Sequence, residues 1–341
     1  MEARDPIGPA SGPEGAPRVF AAIDLGTNNC RLLLAKARGD GFAIVDSYSR
    51  IVRLGEGLAR NGLLLEAAID RTMQALEVCA GKIARWGVVD QRHIATEACR
   101  RATNCDEFVA RVASRTGLSL EIIPPREEAR LALAGCVPLI EPHAPRALLI
   151  DIGGGSTEAS WIATDGERPQ LIDFVSLPYG VVTLSEQIAD DYVGGRLDPR
   201  RYEAIAVEVC EALAEFDRRH GIGQFVARRE VQMIGTSGTV TTVAAINLGL
   251  RRYNRNQVDG TLITRGAINM VCRSLLAEDL AGLAANGCIG EDRADLVLAG
   301  CAILEGVSRR WPIDPIVVAD RGLREGVLLD LIRRDMAGAG R

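Results

Sequence analysis

Apolar and polar positions along this chain follow two rhythms, and the switches between them mark its elements. VFAAIDLGTNNCRLLLAKA, residues 19–37, reads as strand, tight turn, strand, with short apolar runs on both sides of Gly-Thr-Asn-Asn. FAIVDSYSRIVRLG follows as a third strand. AAIDRTMQALEVCAGKIARWG then takes up the helical period, with Ile69, Met73, Leu76 and Ile83 on one face. RHIATEA reads as a strand entering a helix, and LEIIPPREEARLALAGC as strand, Pro-Pro break and helix. The pattern then restarts. ALLIDIGGGSTEASWIAT is again strand, turn, strand, and QLIDFVSLPYGVVTLSEQI a third strand leading into a helix. One helix is expected over EAIAVEVCEALAEFDRR. VQMIGTSGTVTTVAAINLG reads as strand, Gly-rich turn and helix. The helix ADLVLAGCAILEGVSRRW, the strand PIVVAD and the helix GLREGVLLDLIRRD complete the series. Two halves thus open βββ and then alternate helix with strand, which predicts two tandem α/β domains with a ligand crevice between them.

Composition narrows the class. A length of 341 residues suggests two cores, and 47% apolar with 25% charged residues is the balance of a soluble globular protein. No apolar run approaches the roughly 18 residues of a membrane span, and MEARDPIGPASGPEGAPR lacks the apolar region of a signal peptide, so it is expected to be a loose tail. Nine cysteines without a C-x-x-C pair argue against a zinc site and a disulfide framework, and predict reduced, mostly buried thiols in a cytoplasmic protein. His143 and His220 are expected on solvated surface, and no histidines pair at metal-ligand spacing. A net charge of −5 offers no basic field for nucleic acid, so an anionic ligand has to be held by local arginines and backbone amides.

Candidate chemistry centres on an acidic turn written twice, IDLGTNN around Asp24 and IDIGGGSTE around Asp151. The second is followed by a strand rather than a helix, which disfavours a dinucleotide fingerprint, and no G-K-[ST] string provides a P-loop. A hairpin turn whose successive amides face one anion remains, with a plain hairpin as the simpler alternative. Gly153, Gly154 and Gly155 let the backbone approach closely, and Ser156 and Thr157 add hydroxyls. Asp151 and Glu158 are placed to hold Mg2+ through oxygen or water ligands. Gly26, Thr27 and Asn28 form the matching first turn. GTSGT, with Gly235, Ser237, Gly238 and Thr239, leads into a helix N-terminus, which is either an anion site or an ordinary N-cap.

Together AAIDLGTNNCRLLLA, RLGEGL, ATEACRRATN, EEARLALAG, LLIDIGGGSTE, SLPYGVV, IGTSGT and ADRGLREGVL resemble, in the same order, the exopolyphosphatase / guanosine pentaphosphate phosphohydrolase family of the actin-like ATPase superfamily. The resemblance implies two actin-like, ribonuclease H-like domains: residues 19–133 plus about 320–341, and 134–319, after the tail 1–18. It implies Mg2+-dependent release of terminal phosphate from inorganic polyphosphate, with guanosine pentaphosphate as the alternative substrate. A kinase of the same fold and a non-catalytic sensor are the remaining alternatives. It assigns Glu128 as general base, Asp24, Asp151 and Glu158 as metal carboxylates, and Arg100 as a phosphate-facing arginine. Without it, Glu127 and Glu128 would read as complements to a helix dipole. Thr96, Arg100 and Asn104 share a face if their stretch is helical, and Arg53 is a further candidate for screening a polyanion. The first loop departs from the family's frequent S-N-S, reading Thr27-Asn28-Asn29, and a C-terminal histidine-aspartate-type domain is missing. A homodimer stays open as the assembly.

Overall fold

The computed structural model of the protein describes residues 18–39, 41–141 and 143–339. The expected N-terminal tail lies, but for Arg18, outside them. In chain order the first strands are β1 (Val19–Leu25), β2 (Asn29–Arg38), β3 (Gly41–Ile51), β4 (Asp90–Ala95) and β5 (Leu120–Ile122). The others are β6 (Arg146–Ile152), β7 (Thr157–Ala163), β8 (Gln170–Leu177), β9 (Tyr192–Val193), β10 (Arg196–Leu197), β11 (Val231–Thr236), β12 (Leu262–Ile263) and β13 (Ile316–Ala319). They form two large sheets, of order β3-β2-β1-β4-β5 and β12-β13-β11-β6-β7-β8, and a small β9–β10 hairpin. In each large sheet three consecutive strands pair antiparallel. Two later strands then add in parallel beyond the first of the three. One topology therefore occurs twice, which is the actin-like arrangement, and β12 adds an antiparallel edge to the second copy.

Strand alternation assigns each face to a different core. Along β1, Ala21, Ile23 and Leu25 join one apolar cluster with Ile69, Met73 and Leu76 of the helix Glu66–Trp86. Phe20 and Ala22 point the other way. Along β6, Leu148, Ile150 and Ile152 face the outer helices of the second sheet, whereas Ala147 and Leu149 share a cluster with Phe20 and Ala22. That shared cluster is completed by Leu131 and Leu133 of the helix Pro125–Cys136 and by Val327, Leu328 and Leu331 of the helix Leu323–Ala339. The last helix thus returns to the first sheet, and these two helices fill the space where the sheets meet.

Their crossing is unusually close. A Cβ on Gly135 would stand 2.1 Å from the Gly322 carbonyl oxygen, and one on Gly326 would stand 2.0 Å from that of Leu131. Only glycine leaves room for backbone against backbone at this separation. The crossing matters because one helix carries Glu128 and the other begins beside Arg324 and Glu325.

Local readings need three corrections. The helix expected over 203–219 divides at Leu213 into Pro199–Ala212 and Ala214–His220. Thr96, Arg100 and Asn104 do not share a helical face, because the helix Glu97–Arg101 stops before Asn104. The Asn104 amide instead brackets Leu64, accepting from its N–H at 2.8 Å and donating to its carbonyl at 3.0 Å. His220 is not on solvated surface: it is partly buried against the Phe216 ring and bonded to Asp173 at 2.8 Å. His143 is exposed, and eight of the nine cysteines are buried, all nine being free thiols. Among the described residues no helix is long and apolar enough to cross a membrane.

His93 on β4 is buried with neither ring nitrogen bonded, and burial lowers its pKa from 6.5 to about 4. The unfolded chain takes up a proton near pH 6.5 that the folded chain refuses until about 4. Stability is therefore expected to fall through that window by up to about 1.4 kcal/mol per pH unit from this residue. Urea unfolding of wild type and His93→Leu between pH 7 and 5 tests it: the variant should lose less, and parallel losses would remove His93 as the cause.

Candidate active site

The two acidic turns are built alike. β1 and β6 each carry an aspartate one residue before their end, and each turn is closed by one backbone bond three residues long, Gly26 N to Asn29 O and Gly153 N to Ser156 O, both 2.9 Å. The turns touch at their tips. A Cβ on Gly154 would lie 3.0 Å from both Asn28 N and Thr27 Cβ, and one on Gly155 would lie 2.7 Å from Thr27 Oγ1. The carbonyls of Gly153 and Gly154 are taken up by the amides of Val181 and Val182, at 3.0 and 2.8 Å, where the helix Val181–Gln187 begins. The Gly154, Gly155 and Ser156 amides make no hydrogen bond among the described residues and are left for a ligand.

Around these turns lies a cleft of about 370 Å³ between the two sheets. Its floor is acidic. Asp24, Glu128, Asp151 and Glu158 all line it. Burial raises Glu128 to about 7, with the charge of Arg100 pulling the other way and those of Asp151 and Asp24 adding to the rise. Asp151 is raised to about 6 by burial and by Asp24. Glu158 is raised to about 8 by burial, then by Glu128 and Asp151, while Ser176 Oγ donates to its Oε1 at 2.7 Å. Asp24 is raised by burial, against the pull of Arg31 and Arg324. Four carboxyls this close cannot all be charged without a compensating cation.

The cleft also carries cations. Arg31, Arg293 and Arg324 line the cleft, and burial lowers the pKa of both Arg293 and Arg324, with Arg31 disfavouring the charge of each. Among the described residues neither Arg31 nor Arg293 has a carboxylate partner within ion-pair distance. Buried acids together with two arginines that lack a carboxylate partner are what a metal-bound phosphate chain would satisfy. Sequence reading missed all three arginines, although a signal for Arg31 existed. It pairs directly with Asp24 across β1 and β2, as Glu158 pairs with Asp151 across β6 and β7. Each partner stands seven residues after its aspartate.

The structure brings Asp24, Gly26, Thr27, Asn28, Glu128, Asp151, Gly153, Gly154, Gly155, Ser156, Glu158, Ser237 and Gly238 together on this cleft. Ser237 holds a left-handed φ of 79° at the start of the helix Ser237–Asn247, and such strain in a non-glycine residue is characteristic of functional turns. Other candidates sit elsewhere. Arg100 does not line the cleft: it bonds Glu128 Oε2 at 2.7 Å, Glu97 Oε2 at 2.9 Å and the Ile123 carbonyl at 2.9 Å, so it orients Glu128 from behind. Thr157 spends its hydroxyl on the Tyr179 carbonyl at 2.6 Å. Gly235 packs beneath Val240, behind the anion-facing surface, whereas Thr239 packs on Gly300 and lines an adjoining pocket with Asn28, Arg31, Gly154 and Arg293. Arg53 is committed to Asp295 rather than to the cleft.

The acidic floor is chemically suited to a hard divalent cation. All its donors are oxygen, and Oδ1 of Asn28 and of Asn29 are buried nearby without a partner. Among the described residues no three carboxylate, histidine or cysteine side chains converge into a ligand set by themselves. Magnesium does not require one, since it takes one or two carboxylates and completes its shell with water and phosphate oxygens.

A duplicated actin-like topology closing on a cleft lined by buried acids, arginines and open amides defines a phosphoryl-group enzyme. The family model of Ppx/GppA phosphatases matches residues 33–335, and the chain belongs to that family, whose members hydrolyse phosphoanhydride bonds. A Haemophilus influenzae relative is 31% identical over 320 residues, covering 93% of this chain and 92% of its own. Exopolyphosphatase 2 of Mycobacterium tuberculosis is 28% identical, covering 91% and 98%. Among solved structures, an exopolyphosphatase-like protein matches with a TM-score of 0.85 at 29% identity, covering 94% and 99%. The Aquifex aeolicus member of the Ppx/GppA family matches with a TM-score of 0.75 at 27% identity, covering 93% and 98%.

Proposed function

We propose that this phosphatase releases the terminal phosphate of inorganic polyphosphate in a Mg2+-dependent reaction, as a cytoplasmic enzyme, with Glu128 as general base. The observation that carries the reading is Glu128 itself. It is a carboxyl held by Arg100 from behind, raised toward neutrality by burial, and facing a cleft whose other walls are open amides and arginines. A base near the working pH is suited to taking a proton from an attacking water. The Gly154–Ser156 amides, with Thr27 and Asn28, hold the oxygens of the terminal phosphate. Arg31, Arg293 and Arg324 hold the phosphates behind it, where charge builds up on the leaving oxygen. A new P–O bond to the water oxygen forms as the bridging P–O bond breaks, and the shortened chain leaves as an anion. Asp24, Asp151 and Glu158 are the residues that would hold Mg2+, which supplies positive charge against the phosphates.

Exopolyphosphatase 2 of Mycobacterium tuberculosis supports polyphosphate as the substrate, and guanosine pentaphosphate is the competitor. The same reading divides the chain into residues 19–133 with about 320–341, and residues 134–319. The helix Pro125–Cys136 runs through the first boundary, which is better placed at its end. The test is phosphate release from both polyanions side by side, with and without Mg2+. Release from polyphosphate only with Mg2+ is expected, and preference for guanosine pentaphosphate would replace the substrate proposed.

A further inference from the structure

The turn from Val52 to Gly57 ties together three segments that surround the cleft. Its backbone grips the first loop: Val52 N and Arg53 N both donate to the Asn28 carbonyl, at 2.9 and 3.0 Å, and Gly55 N donates to that of Thr27 at 2.9 Å. Its side chain reaches the second sheet's half of the molecule. Arg53 Nη1 and Nη2 bond the two carboxylate oxygens of Asp295 at 2.8 Å each, and Nη2 also bonds the Asp292 carbonyl at 3.0 Å. Between those two anchors stands Arg293, which lines the cleft. At the far end of the turn, Gly57 N donates to Glu186 Oε1 at 2.6 Å. Glu186 lies on the helix Val181–Gln187, whose first amides hold the carbonyls of the second loop. One short turn therefore joins the first loop, the second loop and Arg293.

The turn is shaped for this contact at some cost. Arg53 has a left-handed φ of 48°, a conformation uncommon for any residue but glycine. Gly55 has no room for a Cβ, which would fall 2.3 Å from Thr27 Cγ2. The bidentate pair is only partly buried, with 29% of the Arg53 and 43% of the Asp295 side chain exposed. A pair with that much access to water is weak and reversible, which suits a contact that opens and shuts better than a permanent brace.

We propose that Arg53 is a positioning residue, a clasp to Asp292 and Asp295 that favours the closed cleft and sets Arg293 against the first loop. This rests on the reading of the cleft as a polyanion site and names how that site is closed. Substrate drawn into an unclasped protein has to bear the closure itself, so apparent affinity falls with the closed fraction. Saturated enzyme is closed in either case.

The test uses Arg53→Gln, Asp295→Asn and the double variant of the full chain. Each single change is expected to raise KM for polyphosphate about five- to tenfold with kcat within about twofold, and the double to do no more than either single. A residue that merely stabilised the fold would lower the melting temperature and kcat while leaving KM alone. Hydrogen exchange of the ligand-free protein supplies a readout that needs no turnover. The Gly55 and Gly57 amides should exchange faster in both single variants, with the β1 and β6 amides unchanged. Unchanged exchange at Gly55 and Gly57, or KM effects that multiply in the double variant, would overturn the clasp. If wild type turns over neither polyanion, the substrate reading fails while the exchange data still decide the clasp.

Discussion

Replacing Glu128 by glutamine is expected to lower kcat for phosphate release by about a thousandfold, with KM for the polyanion changed less than about threefold. Glutamine keeps the shape and still accepts from Arg100, so the loss isolates the proton-accepting oxygen. The pH profile sharpens the test. Burial holds the Glu128 carboxyl near 7, so the wild-type rate should climb as pH passes through that region, and the climb should vanish in the variant. Stability should move the other way. A carboxyl whose folded pKa is raised is protonated more readily in the folded state, so its charged form costs stability increasingly above pH 4.5 and fully above about 7. Glu128→Gln removes that cost and should melt no lower than wild type at pH 8. An unchanged rate would sink the assignment, and a lost rate with a lowered melting temperature would point to damage rather than chemistry.

Gly326→Ala is expected to destabilise the protein by about 3–5 kcal/mol, although helix propensity alone predicts a gain of about 1 kcal/mol. The sign is therefore decisive. The added methyl would meet the Leu131 carbonyl at 2.0 Å, a contact with backbone that no rotamer relieves. Relief requires the helices Pro125–Cys136 and Leu323–Ala339 to separate, which carries Glu128 away from Arg324. Residual folded enzyme should accordingly lose activity at temperatures well below its melting point. Urea unfolding and kcat at low temperature read both effects. A variant as stable as wild type would show that the crossing is looser than described.

Most of the architecture was legible because it depends on local pattern. Asp24 and Asp151 each stand one residue before the end of an apolar strand that runs into a Gly-containing turn, and a second apolar strand follows each, so the duplicated hairpins can be read without knowing any long-range contact. The misreadings depend on partners distant in sequence. Arg100 reads as a free cation until the chain brings Glu128 beside it. Arg53 reads as a candidate for screening a polyanion until Asp295 arrives from 242 positions away. His220 looks solvated within its charged run, yet Asp173 and the Phe216 ring enclose it. Arg31 was the avoidable omission, because the spacing that selected Glu158 in the second hairpin selects Arg31 in the first.

The return of the helix Leu323–Ala339 to the first sheet has a consequence for synthesis. A ribosome makes β1 to β5 long before it makes the helix that covers Phe20, Ala22 and Leu33. Through most of translation that face of the sheet stays open, and the nascent chain has an apolar surface to shield and no Arg324 in its cleft. Burial of the oldest sheet and the arrival of Arg324 in the cleft therefore come together, once that helix has been made.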